Sequence, residues 1–249
     1  MIKIKTNEEI EIMAEGGAKL GRVKRALTAA VADGIRASDI EDLANEIIEK
    51  EGAESSFKKV PGYYWSTCIN VNEGLVHGIP TKDLIFRKGD VVSIDVGLYY
   101  KGFHLDTSIT VGINVTPEVR KFLNIGQNAL ERAISKARVG NYIYDISEAI
   151  ESTVETAGYS VVRALVGHGV GRELHEDPQI PCFVPGPRDE SPEIKEGMVL
   201  AIEVMYAMGS EKVEQKEDGW TIAMRDGKIS ALFEDSIAVT SKGPRILTK

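Results

Sequence analysis

Five residues dominate the chemistry this sequence can carry. Asp95 lies in VVSIDVGL, Asp106 in FHLDTSIT, Glu203 in MVLAIEVMY and Glu234 in ALFEDSIAV, each an acid inside an otherwise apolar stretch. A carboxylate in a buried strand is costly unless it is paired or bound to a cation. Four carboxylates brought together repel. Divalent cations are the natural remedy, and they also bring the pKa of a reacting water towards neutrality. His168, in VGHGVGREL, has a glycine on each side, so the backbone can approach closely and the imidazole stays reachable. One nitrogen among oxygen donors suits Mn²⁺, Fe²⁺ or Co²⁺, with Zn²⁺ also accommodated, better than a closed structural zinc site.

Plainer readings stand beside these. A lone acid in an apolar strand is usually a salt-bridged edge residue, and a histidine between glycines can be a turn or capping residue. His77 in LVHGIP and His175 in LHEDP are of the right type for a general acid or hydrogen-bond donor near neutral pH. Each taken alone reads more readily as structural. His104 is left out of the site. Phe57, Tyr63, Cys68, Leu174 and Trp220 could line an apolar pocket, although ordinary core is the default for such residues.

The elements that must position these residues follow from periodicity. Apolar residues at helical spacing predict a helix from Asn7 to about Ala32, capped by Thr6 or Asn7. A second helix is predicted over Ser38–Glu51, with Ser38 as N-cap, Glu41 closing a capping box and Gly52 ending it. Further helices are expected near 118–138 and 145–157. Val91–Tyr99 and His104–Val111 read as a hairpin around Tyr100–Gly102. A turn centred between Tyr100 and Lys101 would set Asp95 and Asp106 directly opposite each other, where like charges destabilise a sheet. A different register would leave one of them exposed or paired with Lys101. Strands are expected near 161–166, 198–206, 219–225, 228–234 and 236–240, with the Pro-rich stretch 178–192 as a loop.

The order helix, helix, strands occurs twice. Gly34, Asp39, Ile40 and Gly52 match Gly140, Asp145, Ile146 and Gly158 at an offset of 106 residues, and KGDVVSID (88–95) matches EGMVLAIE (196–203) at an offset of 108. HLDTSITV (104–111) resembles LFEDSIAV (232–239). The repeat pairs Asp95 with Glu203 and Asp106 with Glu234, and predicts two halves related by a pseudo-two-fold axis. No linker divides the 249 residues, so a single catalytic domain is expected, made of halves spanning about 1–112 and 113–249.

Composition narrows the class. The net charge is −8, with lysine and arginine scattered, so DNA is not an expected partner. Two cysteines, Cys68 and Cys182, form neither a disulfide framework nor a Cys-rich metal site, and favour a reduced, cytoplasmic setting. No segment reads as a secretory signal or a membrane span.

With these residues in view, the chain resembles the type I methionine aminopeptidases of the pita-bread fold over essentially its whole length. The matching stretches are VNEGLVHGIP (71–80), SIDVGLYYKGFHLDTSIT (93–110), GHGVGRELHEDPQIP (167–181), GMVLAIE (197–203) and DGWTIAMRDGKISALFEDSIAVT (218–240). The resemblance implies an α/β (α+β) fold with a central antiparallel sheet backed by helices. It implies Asp95, Asp106, His168, Glu203 and Glu234 as ligands of two divalent ions (Co, Mn, Fe or Zn), with Asp106 and Glu234 bridging. His77 and His175 would face the substrate, and Trp220, Tyr63, Cys68 and Leu174 would fall at or near the methionine pocket. The reaction implied is removal of an initiator methionine, when the second residue is small, by a hydroxide bridging the two ions. Glu203 would accept a proton. The partner is a peptide or nascent-protein N-terminus met by a monomer, with transient ribosome contact left open.

Two departures stand out. Leu174 replaces the phenylalanine common before the second active-site histidine, and Val204 replaces the proline common after the fourth ligand. Only 27 residues separate His175 from Glu203, too few for the helical insertion of type II enzymes. Two other readings compete. A proline-specific peptidase of the same fold generally carries an added N-terminal domain, for which this length leaves no space. A non-catalytic binding protein on the same scaffold typically loses metal ligands, whereas all five positions are filled here.

Overall fold

The computed structural model describes residues 1–249. The helices are α1 (Asn7–Ala30), α2 (Ala37–Lys50), α3 (Pro117–Lys136) and α4 (Ile143–Thr156). The strands are β1 (Glu54–Ser55), β2 (Thr67–Val71), β3 (Gly74–Val76), β4 (Val91–Tyr100), β5 (Phe103–Gly112), β6 (Ser160–Val161) and β7 (Val166–Gly169), followed by β8 (Glu176–Pro181), β9 (Val199–Ala207), β10 (Val213–Gln215), β11 (Ile222–Met224), β12 (Ser230–Thr240) and β13 (Gly243–Ile246). Ten of these strands form the main antiparallel sheet, ordered β1-β4-β5-β12-β9-β7-β8, with β2, β6 and β13 paired to β4, β9 and β12. A small sheet, β10-β11-β3, stands apart.

The expected repeat is visible in how matched residues work. In α2 the Arg36 N–H donates to Asp39, and in α4 the Tyr142 N–H donates to Asp145. Gly34 and Gly140, before these helices, and Gly52 and Gly158, after them, all take positive φ. Beneath them the core forms two apolar clusters. One is built on α1, α2 and β4, the other on α3, α4, β9 and much of β12. The halves of the sheet join where β5 meets β12, through Glu234↔Ser108 and Asp235↔Thr107.

Strand alternation decides which residues face the helices. A Cβ on Gly16 of α1 would lie 3.1 Å from Leu105, and one on Gly126 of α3 would lie 2.7 Å from Phe233. Successive side chains point to opposite faces, so Asp106 and Glu234, each one residue further on, point away from the helices. The joint between the halves therefore carries acids on its open face.

Several expectations need correction. The hairpin turn is Lys101–Gly102, both with positive φ. A two-residue turn with positive φ at both positions matches the right-handed twist of the strands, and Gly102 takes the second position without steric cost. Asp95 therefore pairs with Ser108 and Asp106 with Gly97. The two acids share a face as diagonal neighbours, not as direct opposites. Ser38 and Glu41 do not cap α2. Arg36 is the N-cap residue, and the Glu41 carboxylate is drawn away to accept the N–H groups of Ser66 and Thr67 at 2.8 and 2.9 Å. The stretch predicted as a Pro-rich loop begins inside β8. Proline is tolerated there because β8 is an edge strand. The strands predicted at 228–234 and 236–240 are one, β12, and the strand predicted over 161–166 is split between β6 and β7.

Candidate metal centre and apolar pocket

Asp95 reaches the open face from β4 and Asp106 from β5. His168 comes from β7, Glu203 from β9 and Glu234 from β12. Glu203 and Glu234 are direct cross-strand partners, and His168 pairs with Ala201, two residues from Glu203. Ligand atoms of Asp106, His168 and Glu234 all lie within 4.8 Å of one another. His168 Nε2 is 3.4 Å from Glu203 Oε1. The structure thus brings the five predicted residues to one point, with Glu203, whose side chain is 13% exposed, the most open.

Burial and mutual repulsion push these acids away from their usual behaviour. Burial first, then the neighbouring carboxylates, raise Asp95, Glu203 and Glu234 well above the ordinary carboxyl range. Asp106 is pushed up to about 7, chiefly by burial. His168 is pulled down to about 3 by burial, with the nearby His175 adding to the shift, so its imidazole is neutral and free to ligate. Its Nδ1 lies 2.8 Å from the Gly169 carbonyl, which leaves Nε2 directed at the acids.

Two buried carboxylate oxygens, Asp95 Oδ1 and Glu234 Oε1, have no hydrogen-bond partner. Buried polar atoms left unpaired are costly, and four adjoining carboxylates without cations would repel. Divalent ions satisfy both demands. The donor set of carboxylates and one imidazole therefore fits a metal centre.

The acids form the floor of a cavity of about 150 Å³. Its walls include Phe57, Tyr63, Cys68, Leu174, His77, His175 and Trp220. Phe57, Tyr63, Cys68 and Leu174 pack as one apolar cluster, with Trp220 against it. Tyr63 and Trp220 meet edge to face at 5.1 Å, and the Tyr63 hydroxyl donates to the Thr67 carbonyl at 2.8 Å. Gly97 makes this wall possible, since a Cβ there would lie 2.6 Å from the Phe57 ring. His77 sits at φ 60, an unusual conformation for a residue with a side chain, as often found at functional sites. His175 is exposed at the rim, with its ring centroid 4.5 Å from that of His168.

Val60 and Val76 also line the cavity and were not singled out from sequence. Val76 directly precedes His77, which was the available signal; nothing marks Val60. His104, which the sequence reading left out of the site, lies outside the cavity lining. It is buried, packed on Tyr99 and hydrogen-bonded through Nδ1 to the Ser56 hydroxyl. Val204, which stands where the resemblance would place a proline, is fully buried in an unbroken β9 opposite Phe233, as the strand expected over 198–206 requires.

A sequence model of metallopeptidase family M24 matches residues 11–241. A methionine aminopeptidase of Clostridium perfringens is 43% identical over 249 residues, covering 100% of this chain and 99% of that protein. Methionine aminopeptidase 1 of Bacillus subtilis is 41% identical, with full coverage of both. Among solved structures, the Thermotoga maritima methionine aminopeptidase superposes with a TM-score of 0.97 at 41% identity, and each chain is fully covered. A prolidase from Pyrococcus furiosus shares the fold, with a TM-score of 0.78 at 24% identity, over 99% of this chain and 65% of its own.

Proposed function

The chain belongs to metallopeptidase family M24, and from that premise we propose that it is a methionyl aminopeptidase that removes the initiator methionine from proteins and peptides whose second residue is small. The observation that carries the reading is the position of the acid cluster at the floor of a small apolar-walled cavity, with two carboxylate oxygens unpaired. Its relatives of full length and similar size, which are methionine aminopeptidases, support the substrate.

Asp95, Asp106, His168, Glu203 and Glu234 would hold two divalent ions, of Co, Mn, Fe or Zn. When bound, the ions supply Lewis-acid activation of the peptide carbonyl and of water. The protein's own groups do the rest. Glu203, the most open carboxylate, accepts a proton during attack. His175, at the rim, donates a hydrogen bond to the carbonyl oxygen as it gains charge, and His77 holds the peptide beyond it. Tyr63, Cys68, Leu174 and Trp220 enclose the methionine side chain, for which sulfur- and aromatic-tolerant contacts are suitable.

We also read the chain as one catalytic unit of two related halves, about 1–112 and 113–249, supported by the two apolar clusters. No helix is long and apolar enough to cross a membrane, and both cysteines are free. We place the enzyme in the cytoplasm as a monomer, where nascent chains emerge. The deciding experiment is methionine release from Met-Ala-Ser by protein stripped of metal and reloaded with each divalent ion in turn. Absence of release with every ion would overturn the reading.

A further inference from the structure

We propose that Lys5 is a positioning residue: through a buried ion pair with Glu176 it fixes the loop 170–175, which carries Leu174 and His175 to the cavity. The inference rests on the role given to His175 above.

The Lys5 ammonium lies 2.6 Å from Glu176 Oε2, with the two side chains only 4% and 1% exposed. Glu176 follows His175 directly, and its pairing with Gly169 closes the loop. Its other carboxylate oxygen accepts the Glu173 N–H at 3.1 Å, so one carboxylate ties the base of the loop to its interior. Within the loop, the Gly171 N–H donates to the Glu173 carbonyl at 3.1 Å, and the Gly171 carbonyl accepts the His104 N–H at 2.7 Å.

The backbone is shaped to admit the lysine. A Cβ on Gly171 would lie 2.4 Å from Lys5 Cε and 2.8 Å from its Nζ. The strap that carries Lys5 is itself anchored, because the Lys5 N–H donates to the Gly197 carbonyl at 2.8 Å. A Cβ on Gly197 would lie 2.7 Å from the Lys5 carbonyl oxygen. Two further cations meet this region from outside: Lys3, 3.5 Å from Glu176, and the Met1 ammonium, 2.7 Å from Asp177. Both are substantially exposed and contribute little.

A buried ion pair is a poor source of net stability, because desolvating both charges offsets their attraction. It does impose one geometry, since either charge left alone is strongly disfavoured there. Here that geometry sets the loop whose last two residues meet the substrate. Lys5 touches no reacting atom and acts only through Glu176 and the loop backbone.

The test compares Lys5→Met, Glu176→Gln and the double variant with wild type, measured well below each melting temperature. Lys5→Met should lower kcat for Met-Ala-Ser by roughly tenfold or more, the scale expected for misplaced catalytic groups, with KM changed by less than about threefold. Bound metal should be unchanged. In the metal-free protein, the Gly171 and Glu173 amides should exchange faster with solvent, while amides of β4 and β5 should not. The double variant should recover much of the loss, because glutamine still accepts the Glu173 N–H and no unpaired charge remains. If Lys5→Met fails to fold, Glu176→Gln, which keeps the side-chain shape, is read in the same way. Wild-type kcat and loop exchange in the single variants would overturn the proposal. So would a fall in kcat accompanied by loss of metal. A wild type that releases no methionine with any ion overturns the function as well, whereas a working wild type with unaffected variants overturns this inference alone.

Discussion

Glu203 and Glu234 face each other directly across the β9–β12 pair, on the open side of the sheet. Like charges in that relation destabilise a sheet, and burial raises the cost. Asp95 and Asp106, their counterparts in the repeat, are offset by two residues on β4 and β5. The cluster is thus a strained arrangement without cations and, on the proposed reading, a ligand set with them.

Replacing one of the facing acids should therefore separate stability from function. Glu234→Gln should raise the melting temperature of the metal-free protein, by about 2–4 °C per kcal/mol of repulsion removed. The same change should reduce turnover by on the order of 10²-fold or more, because a ligand central to the site becomes a neutral amide. Thermal unfolding, metal analysis and a Met-Ala-Ser assay on one preparation test both halves. Near-normal turnover would exclude Glu234 as a ligand.

The pH dependence of the metal-free protein has a defined sign. The four carboxyl groups have raised folded pKa values, so their contribution to stability is complete below pH ~4, the unfolded value, and is lost as pH rises through the folded values, about 7 for Asp106. His77, His104 and His168 are shifted down by burial and His175, at the rim, by partial desolvation of its ring, so their contribution is complete above about 6.5 and is lost in acid. The two sets oppose each other between about pH 4 and 6.5. Above that window only the carboxyl groups act. The metal-free melting temperature should fall as pH rises from about 6.5 to 8.5, and saturating divalent metal should abolish the fall. Metal binding near pH 6.5 should release protons, seen as an enthalpy that depends on buffer ionisation.

The histidines should divide into two kinds. His175→Ala and His77→Ala should lower turnover by ~10²-fold while metal stays bound, as expected for lost hydrogen-bond donors to the reacting peptide. His104→Ala should leave turnover almost unchanged and cost about 1–3 kcal/mol of stability, because the buried Ser56 hydroxyl loses its partner. Turnover and urea unfolding for the three variants check the division. A larger kinetic loss at His104 than at His175 would refute it.

Leu174 should set the width of the pocket. It packs with Phe57, Tyr63 and Cys68, so Leu174→Phe adds bulk to a cavity of only about 150 Å³. Selectivity for methionine over leucine should rise, though by no more than ~10–200-fold, the range for small apolar differences. The measurement is kcat/KM for Met-, Leu- and norleucine-Ala-Ser peptides. Equal ratios in wild type and variant would show that Leu174 does not shape the pocket.

Substrates should be read at both sides of the scissile bond. Met-Ala, Met-Gly and Met-Ser peptides should be cleaved well and Met-Lys or Met-Trp peptides poorly, if the site closes over the peptide bond near His77 and His175 as proposed. Acetylation or formylation of the α-amino group should block release. Efficient cleavage of a blocked peptide, followed by mass spectrometry, would show that the enzyme is not an aminopeptidase.

The chemistry of this protein was largely written in its sequence. Asp95, Asp106, Glu203 and Glu234 announced themselves because an acid in an apolar strand is costly, and a cost repeated at matched positions demands a shared cause. Helix positions were legible for the same local reason, the periodicity of apolar residues and the capping of α1 by Thr6. Register was not. A one-residue change in the turn at Lys101–Gly102 moved Asp106 from opposite Asp95 to opposite Gly97, and composition alone does not fix which two residues around Gly102 turn the chain. Glu41 reads as a helix cap in the sequence, yet it binds Ser66 and Thr67, which lie far from it along the chain. Lys5 and Glu176 are 171 residues apart, and neither carries any local mark of the other. Local patterns report the cost of placing a residue in its own element. Which distant group meets that cost depends on how strands and loops pack, and only the tertiary structure decides it.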